Sequence, residues 1–539
     1  MSENTVVKTN YGPVRGLLRK SAVGEEYLSF RGIPYGKAPI GALRFRDPQP
    51  AEKWTHTFDA TKPGPTAMGL DFVTMRLNEG CTEDCLTLNI YTKNIKPRKP
   101  LPVMIWIHGG GFRWGNSTES TYGPDYLLEK DVVFVSINYR LGALGFMSIP
   151  DPELKVPGNA AMKDQAMAMR WVRENIRYFG GDCANITVFG ESVGGICTHW
   201  HMVSDFSKGL FDKAIVQSGS ALVDFCAVPH TVNWGERLAM VLGWKPSDSS
   251  QSYFEYIQNV PAVDIVMVQD TILTPPEMKI HGRMIFSITM EPYESEQCFN
   301  RRDPLEFYEN AWGNKIPLII GGTSEEGLLF YRLMTQFLIQ FKAPDIFENL
   351  FERLKCGKGT DESKAIAEKI KKFYYGNDSP SIANIDTYID LMSDKNFLHG
   401  MHLAVKSRTN DPESAPTYCY RFNFETKTNF TIMKSVFGHP TIKGVCHAED
   451  IEYLFKTSYS KPVVVNSAEH KTINRMVSCW TRFAATGNPN NEFIKPTEWK
   501  PVENGSLPPY KCLNIAEEVT FIDFPEAKRM EFWDSLGYN

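Results

Sequence analysis

The stretch Ile186-Thr187-Val188-Phe189-Gly190-Glu191-Ser192-Val193-Gly194-Gly195-Ile196-Cys197 constrains the fold of this chain more tightly than any other. It opens on an apolar, β-branched run too short for a helix, which suits a buried strand. Ser192 follows inside Gly-x-Ser-x-Gly, and the small residues beyond it are able to open a helix. Strand, sharp turn and helix in that order are what a nucleophile elbow requires. The flanking glycines have a steric reason. Such a turn strains the residue at its tip and leaves no room beside it for Cβ atoms, while aiming the hydroxyl out of the sheet. The bland alternative is a glycine-rich turn with a surface serine, since the five-residue pattern also arises by chance. The strand before it and the helix after it favour Ser192 as the nucleophile.

The surroundings read as an α/β chain. Val132 to Tyr139 is a second buried strand, followed by a helix whose apolar residues Met162, Ala166, Met169, Val172, Ile176 and Phe179 fall on one face. Gly180-Gly181 ends that helix, and the strand leading to Ser192 begins at Ile186. Strand, helix, strand in this register is a crossover, so the sheet here is parallel. Pro102 to Ile107 is continuously apolar, as a strand covered on both faces should be, and it runs into His108-Gly109-Gly110-Gly111-Phe112. Three successive glycines let backbone approach a substrate and point N–H groups at a developing oxyanion; a flexible turn is the plain alternative.

Further strands are expected at Leu86 to Tyr91, Ala214 to Gln217, Pro317 to Ile320 and Pro416 to Phe424, with a helix over Ala468 to Ala485. Val6 to Thr9 and Val14 to Leu17, around the turn Asn10-Tyr11-Gly12-Pro13, should pair antiparallel, whereas residues 61–84 are irregular and about 230–312 form an insertion. The 539 residues show no linker, so a single domain over 1–539 is expected.

A formal net charge of −5 leaves no basic footprint for nucleic acid or an anionic membrane, and neither is expected as a partner. The N-terminus lacks the pattern of a secretory signal, and apolar runs such as Val132 to Ile137 are too short to cross a bilayer. Eleven thinly spread cysteines read as reduced thiols, so a cytoplasmic protein is expected. The sequons at Asn116, Asn185, Asn377, Asn429 and Asn504 matter only in a secretory compartment.

A serine hydroxyl is a poor nucleophile until a base takes its proton, and the imidazole that does so needs a carboxylate behind it. In chain order the expected sequence is serine, acid, histidine. Glu326, in Gly321-Gly322-Thr323-Ser324-Glu325-Glu326-Gly327, lies just past the C-terminal end of an apolar strand, with Glu325 as its local rival. His447, in Gly444-Val445-Cys446-His447-Ala448-Glu449-Asp450, is the candidate base, with His439 and His470 also open on spacing alone.

Taken together, Phe30 to Tyr35, Leu43-Arg44-Phe45, Glu83-Asp84-Cys85-Leu86, His108 to Phe112, Asn138-Tyr139-Arg140, Phe179 to Asp182, the Ser192 elbow, Gln217-Ser218-Gly219, Glu325-Glu326-Gly327 and Gly444 to His447 resemble the type-B carboxylesterase and cholinesterase family. The resemblance spans nearly the whole chain and is greatest to the cytosolic insect carboxylesterases of the α-esterase group. It implies an α/β-hydrolase fold: a large mixed, mostly parallel sheet flanked by helices, with helical insertions forming an active-site gorge. It implies Ser192 as nucleophile, Glu326 as acid, selected over Glu325 because it directly precedes Gly327, and His447 as base. It also implies an oxyanion hole from the N–H groups of Gly110, Gly111 and Val193, support of the triad by Glu191 and Ser218, and Phe225 as an aromatic of the acyl pocket. No cofactor or metal is called for.

Departures from the family pattern carry information. Val193 stands where alanine is usual, adding two methyls beside the hole. The usual disulfide partner of Cys85 has no equivalent, which agrees with a reducing compartment. Met75 replaces the tryptophan with which cholinesterases hold quaternary ammonium, so choline esters are not expected as preferred substrates. Glu191 occupies the position where juvenile-hormone esterases have glutamine.

The expectation is an acyl-enzyme hydrolase of small to medium hydrophobic esters, serving xenobiotic or insecticide detoxification, with organophosphates as covalent inhibitors. The alternative is a slow-turnover scavenger that sequesters such compounds. A non-catalytic adhesion protein is disfavoured because all three triad residues are present. The natural substrate and the oligomeric state are not legible.

Overall fold

Alternating apolar side chains put two rows of residues on opposite sides of a strand, and a strand apolar in both rows needs a layer on each face. The computed structural model describes residues 4–71, 73–223, 232–247, 251–274, 284–332, 335, 360–428, 430–505 and 509–537. Its main sheet has 13 strands. Across the sheet the order is Asn4–Lys8, Pro13–Lys20, Glu26–Pro34, Thr87–Thr92, Val133–Ile137, Leu101–Ile107, Gly181–Glu191, Lys213–Gln217, Leu318–Thr323, Thr417–Phe422, Lys511–Ile515 and Val519–Asp523, with Phe58–Asp59 pairing Pro13–Lys20 at the side. From Val133–Ile137 to Lys511–Ile515 every neighbouring pair is parallel. The outer pairs at both ends are antiparallel.

The two faces separate cleanly. Val103, Ile105, Ile107, Val188, Ala214 and Val216 belong to one buried cluster, with Met162, Ala166, Met169 and Val172 of the helix Ala160–Asn175. Met104, Trp106, Phe134, Phe189 and Ile215 point the other way, against Ile473, Met476, Trp480 and Phe483 of the helix Ala468–Thr486. Each valine, isoleucine, methionine or phenylalanine among them contributes roughly 1.5–3 kcal/mol relative to exposure. That helix is capped by Ser467, which accepts from the His470 N–H, and ended by Gly487 at φ 76°. The expected helix through Phe179 is α-helical only to Asn175; Ile176–Phe179 tightens into a 3-10 turn stopped by Gly180 at φ 85°. The strand before Ser192 also starts earlier than expected, at Gly181, because Gly181 pairs with Leu101 before a register irregularity leads to Ile186.

Buried charges tie the insertion to this body. Arg44 reaches Glu83 at 2.7 Å and the carbonyls of Ile257, Gln258 and Val260. Lys163 bonds Asp47 at 2.7 Å and lies 3.3 Å from Glu291. The described cysteines Cys81, Cys85, Cys183, Cys197, Cys298, Cys419, Cys446, Cys479 and Cys512 are free thiols. Among the described residues no helix is long and apolar enough to cross a membrane.

Candidate active site

Parallel strands end on one edge of a sheet, and here that edge gathers the polar residues. Ile107, Glu191, Gln217 and Thr323 close four adjacent strands, and His108, Ser192, Ser218 and Glu326 lie just beyond them. Ser192 sits at φ 57°, ψ −128°, a conformation that a side chain rarely adopts and that costs about 1–3 kcal/mol. Its N–H is anchored to the Gln217 carbonyl at 3.0 Å, and the helix Val193–Val203 starts at once. The elbow glycines are there for contact. A Cβ on Gly190 would lie 2.5 Å from Gly194, and one on Gly194 would lie 2.1 Å from the Ile107 carbonyl oxygen.

That second approach presses the helix N-terminus against the end of strand Leu101–Ile107 and the glycine loop after it. Gly110 and Gly111 have φ of 115° and 58°, and a Cβ on Gly110 would meet the Trp114 carbonyl at 2.3 Å. Neither glycine donates its N–H to an acceptor among the described residues. Val193, as the first residue of its helix, has no intrahelical acceptor either. Its side chain is buried at this junction. His108 stacks on Tyr139 with ring centres 4.5 Å apart, and the Tyr139 hydroxyl donates to the His108 carbonyl. Burial pushes the His108 pKa down to about 4, so it brings no charge to the loop.

Glu326 is fully buried, and one of its oxygens accepts from Ser218 Oγ at 2.6 Å and the Thr323 N–H at 2.8 Å. Its other oxygen is 2.5 Å from His447 Nδ1. Glu325 is not its equal: its pKa rises to about 7 through burial, with Asp390 adding to the rise and Arg529 and Arg421 opposing it, and its Cγ fills the space a Cβ on Gly444 would need. His439 bonds Thr441, and His470 accepts the Asn466 N–H.

His447 Nε2 lies 3.1 Å from Glu191 Oε1. Neither atom has a hydrogen-bond partner among the described residues, so the Ser192 hydroxyl is not bonded to the imidazole in this structure. In free hydrolases this bond is often long and tightens only with substrate. Burial lowers the His447 pKa, but the Glu191 and Glu326 carboxylates outweigh it and hold it up at about 9. Burial raises Glu191 to about 8, against the pull of His447 and with Asp450 and Glu326 adding to the rise.

Two contacts escaped the sequence reading. Asp450 is buried, accepts from Gln217 Nε2 at 2.9 Å and Tyr420 OH at 3.1 Å, and is pushed up to about 6 by burial. Phe397 lays its ring against the His447 imidazole, centres 4.6 Å apart. Asp450 closes the same short motif as His447, and that proximity was an available signal; for Phe397 there was none. Phe225 lies outside the described residues. A hydroxyl on a strained turn, an imidazole backed by a carboxylate, and three nearby N–H groups with no acceptor among the described residues can together perform acyl transfer.

A model of the carboxylesterase family matches residues 3–533. Esterase B1 of Culex pipiens is 38% identical over 544 residues, covering 100% of this chain and 99% of its own length. The juvenile hormone esterase of Tribolium castaneum is 32% identical over 520 residues, 90% of this chain and 84% of its own. Among solved structures, the juvenile hormone esterase of Manduca sexta with OTFP covalently attached superposes with a TM-score of 0.86 at 28% identity, over 99% of each chain.

Proposed function

Since the chain belongs to the carboxylesterase family and is a carboxylic ester hydrolase, we propose that it acts through a covalent acyl-enzyme on Ser192, with Glu326 and His447 as acid and base. The observation that carries this reading is the 2.5 Å contact of His447 Nδ1 with a buried Glu326 behind a strained Ser192. His447 takes the hydroxyl proton as Ser192 attacks the ester carbonyl, and the oxyanion rests on the N–H groups of Gly110, Gly111 and Val193. The protonated imidazole passes its proton to the departing alcohol, and water repeats the sequence to release the acid. That a structural relative holds OTFP covalently supports a covalent intermediate.

The substrates are small to medium hydrophobic esters, xenobiotics and insecticides among them. Trp114 and Met284 flank Gly111 and Phe397 flanks His447, so the described walls nearest the chemistry are apolar. Met75 is about half exposed, at 52%, and supplies no aromatic face for a choline head group. A place among the cytosolic α-esterases belongs to the same reading, supported by the free thiols.

Ser192→Ala is expected to abolish hydrolysis of p-nitrophenyl butyrate while leaving the thermal midpoint near that of the parent; full activity in the folded variant would defeat the assignment. The scavenger reading draws on one observation, that Nε2 lies 3.1 Å from Glu191 and makes no hydrogen bond to the serine, which slows activation of water against an adduct. Paraoxon followed by intact-mass measurement should give one phosphoryl adduct on Ser192. Its rate of loss against the ester burst separates a scavenger from a hydrolase.

A further inference from the structure

We propose that Phe397 is a positioning residue for the esterase reaction, holding the His447 imidazole on Glu326 and stabilising its protonated form, from a turn whose leading helix packs beside the acid. The proposal rests on the triad roles given above. The helices Ile385–Ser393 and His399–Asn410 are joined by a single π turn, Asp394–Leu398. A π turn admits one extra residue and re-aims the side chains it carries, and such turns gather at functional sites. Here the re-aimed residue is Phe397, buried at 3% exposure, with its ring centre 4.6 Å from that of His447 and the planes tilted by 36°.

The helix that leads into the turn reaches the acid. Ser393 Oγ accepts the Gly327 N–H at 2.8 Å and donates to the Ile389 carbonyl at 2.8 Å. A Cβ on Gly327 would lie 2.1 Å from the Ile389 oxygen, so backbone touches backbone beside Glu326. Behind the turn, the helix Ala527–Asp534 grips both of its ends. Arg529 Nε bonds Asp394 at 2.8 Å and its guanidinium meets Asp390 at 2.5 Å, while Asp534 receives His399 Nε2 at 3.1 Å. The Tyr374 hydroxyl donates to Asp394 as well. The groups facing the imidazole are therefore Glu326, Glu191 and Asp450, all carboxyls, with Phe397 as the aromatic surface among them.

An aromatic face attracts a cation by about 0.5–2 kcal/mol, more when both are dry. Below its pKa the resting imidazole is already a cation and cannot serve as base, so the attraction raises kcat only above the acid limb, where the neutral imidazole becomes a cation by taking the serine proton. A plain core phenylalanine would contribute to stability alone, and a substrate wall would discriminate among acyl chains.

The test compares Phe397→Leu and Phe397→Tyr with the parent on p-nitrophenyl acetate, butyrate and octanoate, across pH 5–9, with thermal midpoints recorded. The leucine variant should lose about tenfold in kcat on all three esters alike, with KM nearly unchanged, and the acid limb of kcat/KM should move to lower pH because the imidazolium has lost its aromatic support. The tyrosine variant, which keeps the ring face, should return kcat to within about threefold and restore the limb. A folded leucine variant with parent kcat and an unmoved limb overturns the proposal, as does a loss that depends on acyl length while the limb stays. Should the leucine variant not fold, Phe397→Met takes its place in the same comparison. Activity surviving in Ser192→Ala would instead defeat the triad reading, so the two failures are distinct.

Discussion

Glu191 is a charge that bears directly on the candidate base. As a carboxylate it favours the protonated imidazole across 3.1 Å, and as an acid it does not. Glu191→Gln removes a group that holds the His447 pKa up, so the acid limb of kcat/KM should shift toward lower pH. A pH–rate profile on an aryl ester checks this; a limb that moves to higher pH would mean Glu191 acts mainly by keeping its own proton. At this scale the sequence was informative where chemistry has a motif. Ser192, Glu326 and His447 stand in short distinctive runs, and the structure brings Glu326 and His447 into contact behind the elbow. Phe397 was silent, and Asp450 offered only its place beside His447 in the same short motif. Their contacts are made across the fold, to Gln217, Tyr420 and His447.

The element that turns strands into a reaction site is the junction of the helix Val193–Val203 with the end of Leu101–Ile107. Gly194 allows that junction, because any Cβ there would run into the Ile107 carbonyl at 2.1 Å. Gly194→Ala is expected to lower stability by about 1–3 kcal/mol through overpacking. It should lower kcat more steeply, by about 10²- to 10³-fold, because Val193 and Gly110 can no longer aim their N–H groups at one point. Thermal midpoints and kcat for the same preparation decide this, and parent-like kcat in a destabilised variant would show that the hole tolerates the shift. The central strands were legible because their apolar, β-branched runs are too short for helices and are bounded by polar or turn residues. The π turn at Asp394–Leu398 was not, since one extra residue in a helix leaves no mark on hydrophobic spacing.

For the whole molecule, the buried titratable groups fix how stability follows pH. Glu191, Glu325 and Asp450 have folded pKa values raised to about 8, 7 and 6 from ordinary values of 4.5, 4.5 and 3.8. A raised group contributes fully below its unfolded value, and the contribution is lost as pH climbs through the folded one. The buried His108, His199 and His201 are lowered to about 4, 3 and 3, so they withdraw stability as pH falls below 6.5. The two sets oppose each other between pH 4.5 and 6.5, and the thermal midpoint should be highest there, falling toward pH 8 and again below 4.5. A series of melting curves from pH 4 to 9 tests this, and a maximum at pH 8 would refute it. None of these shifts was visible in the chain, because the size of each depends on burial and on partners brought from distant segments.

The turn that follows the helix Ala468–Thr486 lies at the far side of the sheet from Ser192. Gly487 neighbours Lys213 and Pro317, where two of the parallel strands begin. A support coupled through a cysteine introduced at the exposed Asn488 would thus hold the enzyme by the edge opposite Ser192. A column prepared in that way should retain more activity per bound enzyme on a free aryl ester than one made by random attachment through surface lysines, which would turn part of the population toward the matrix.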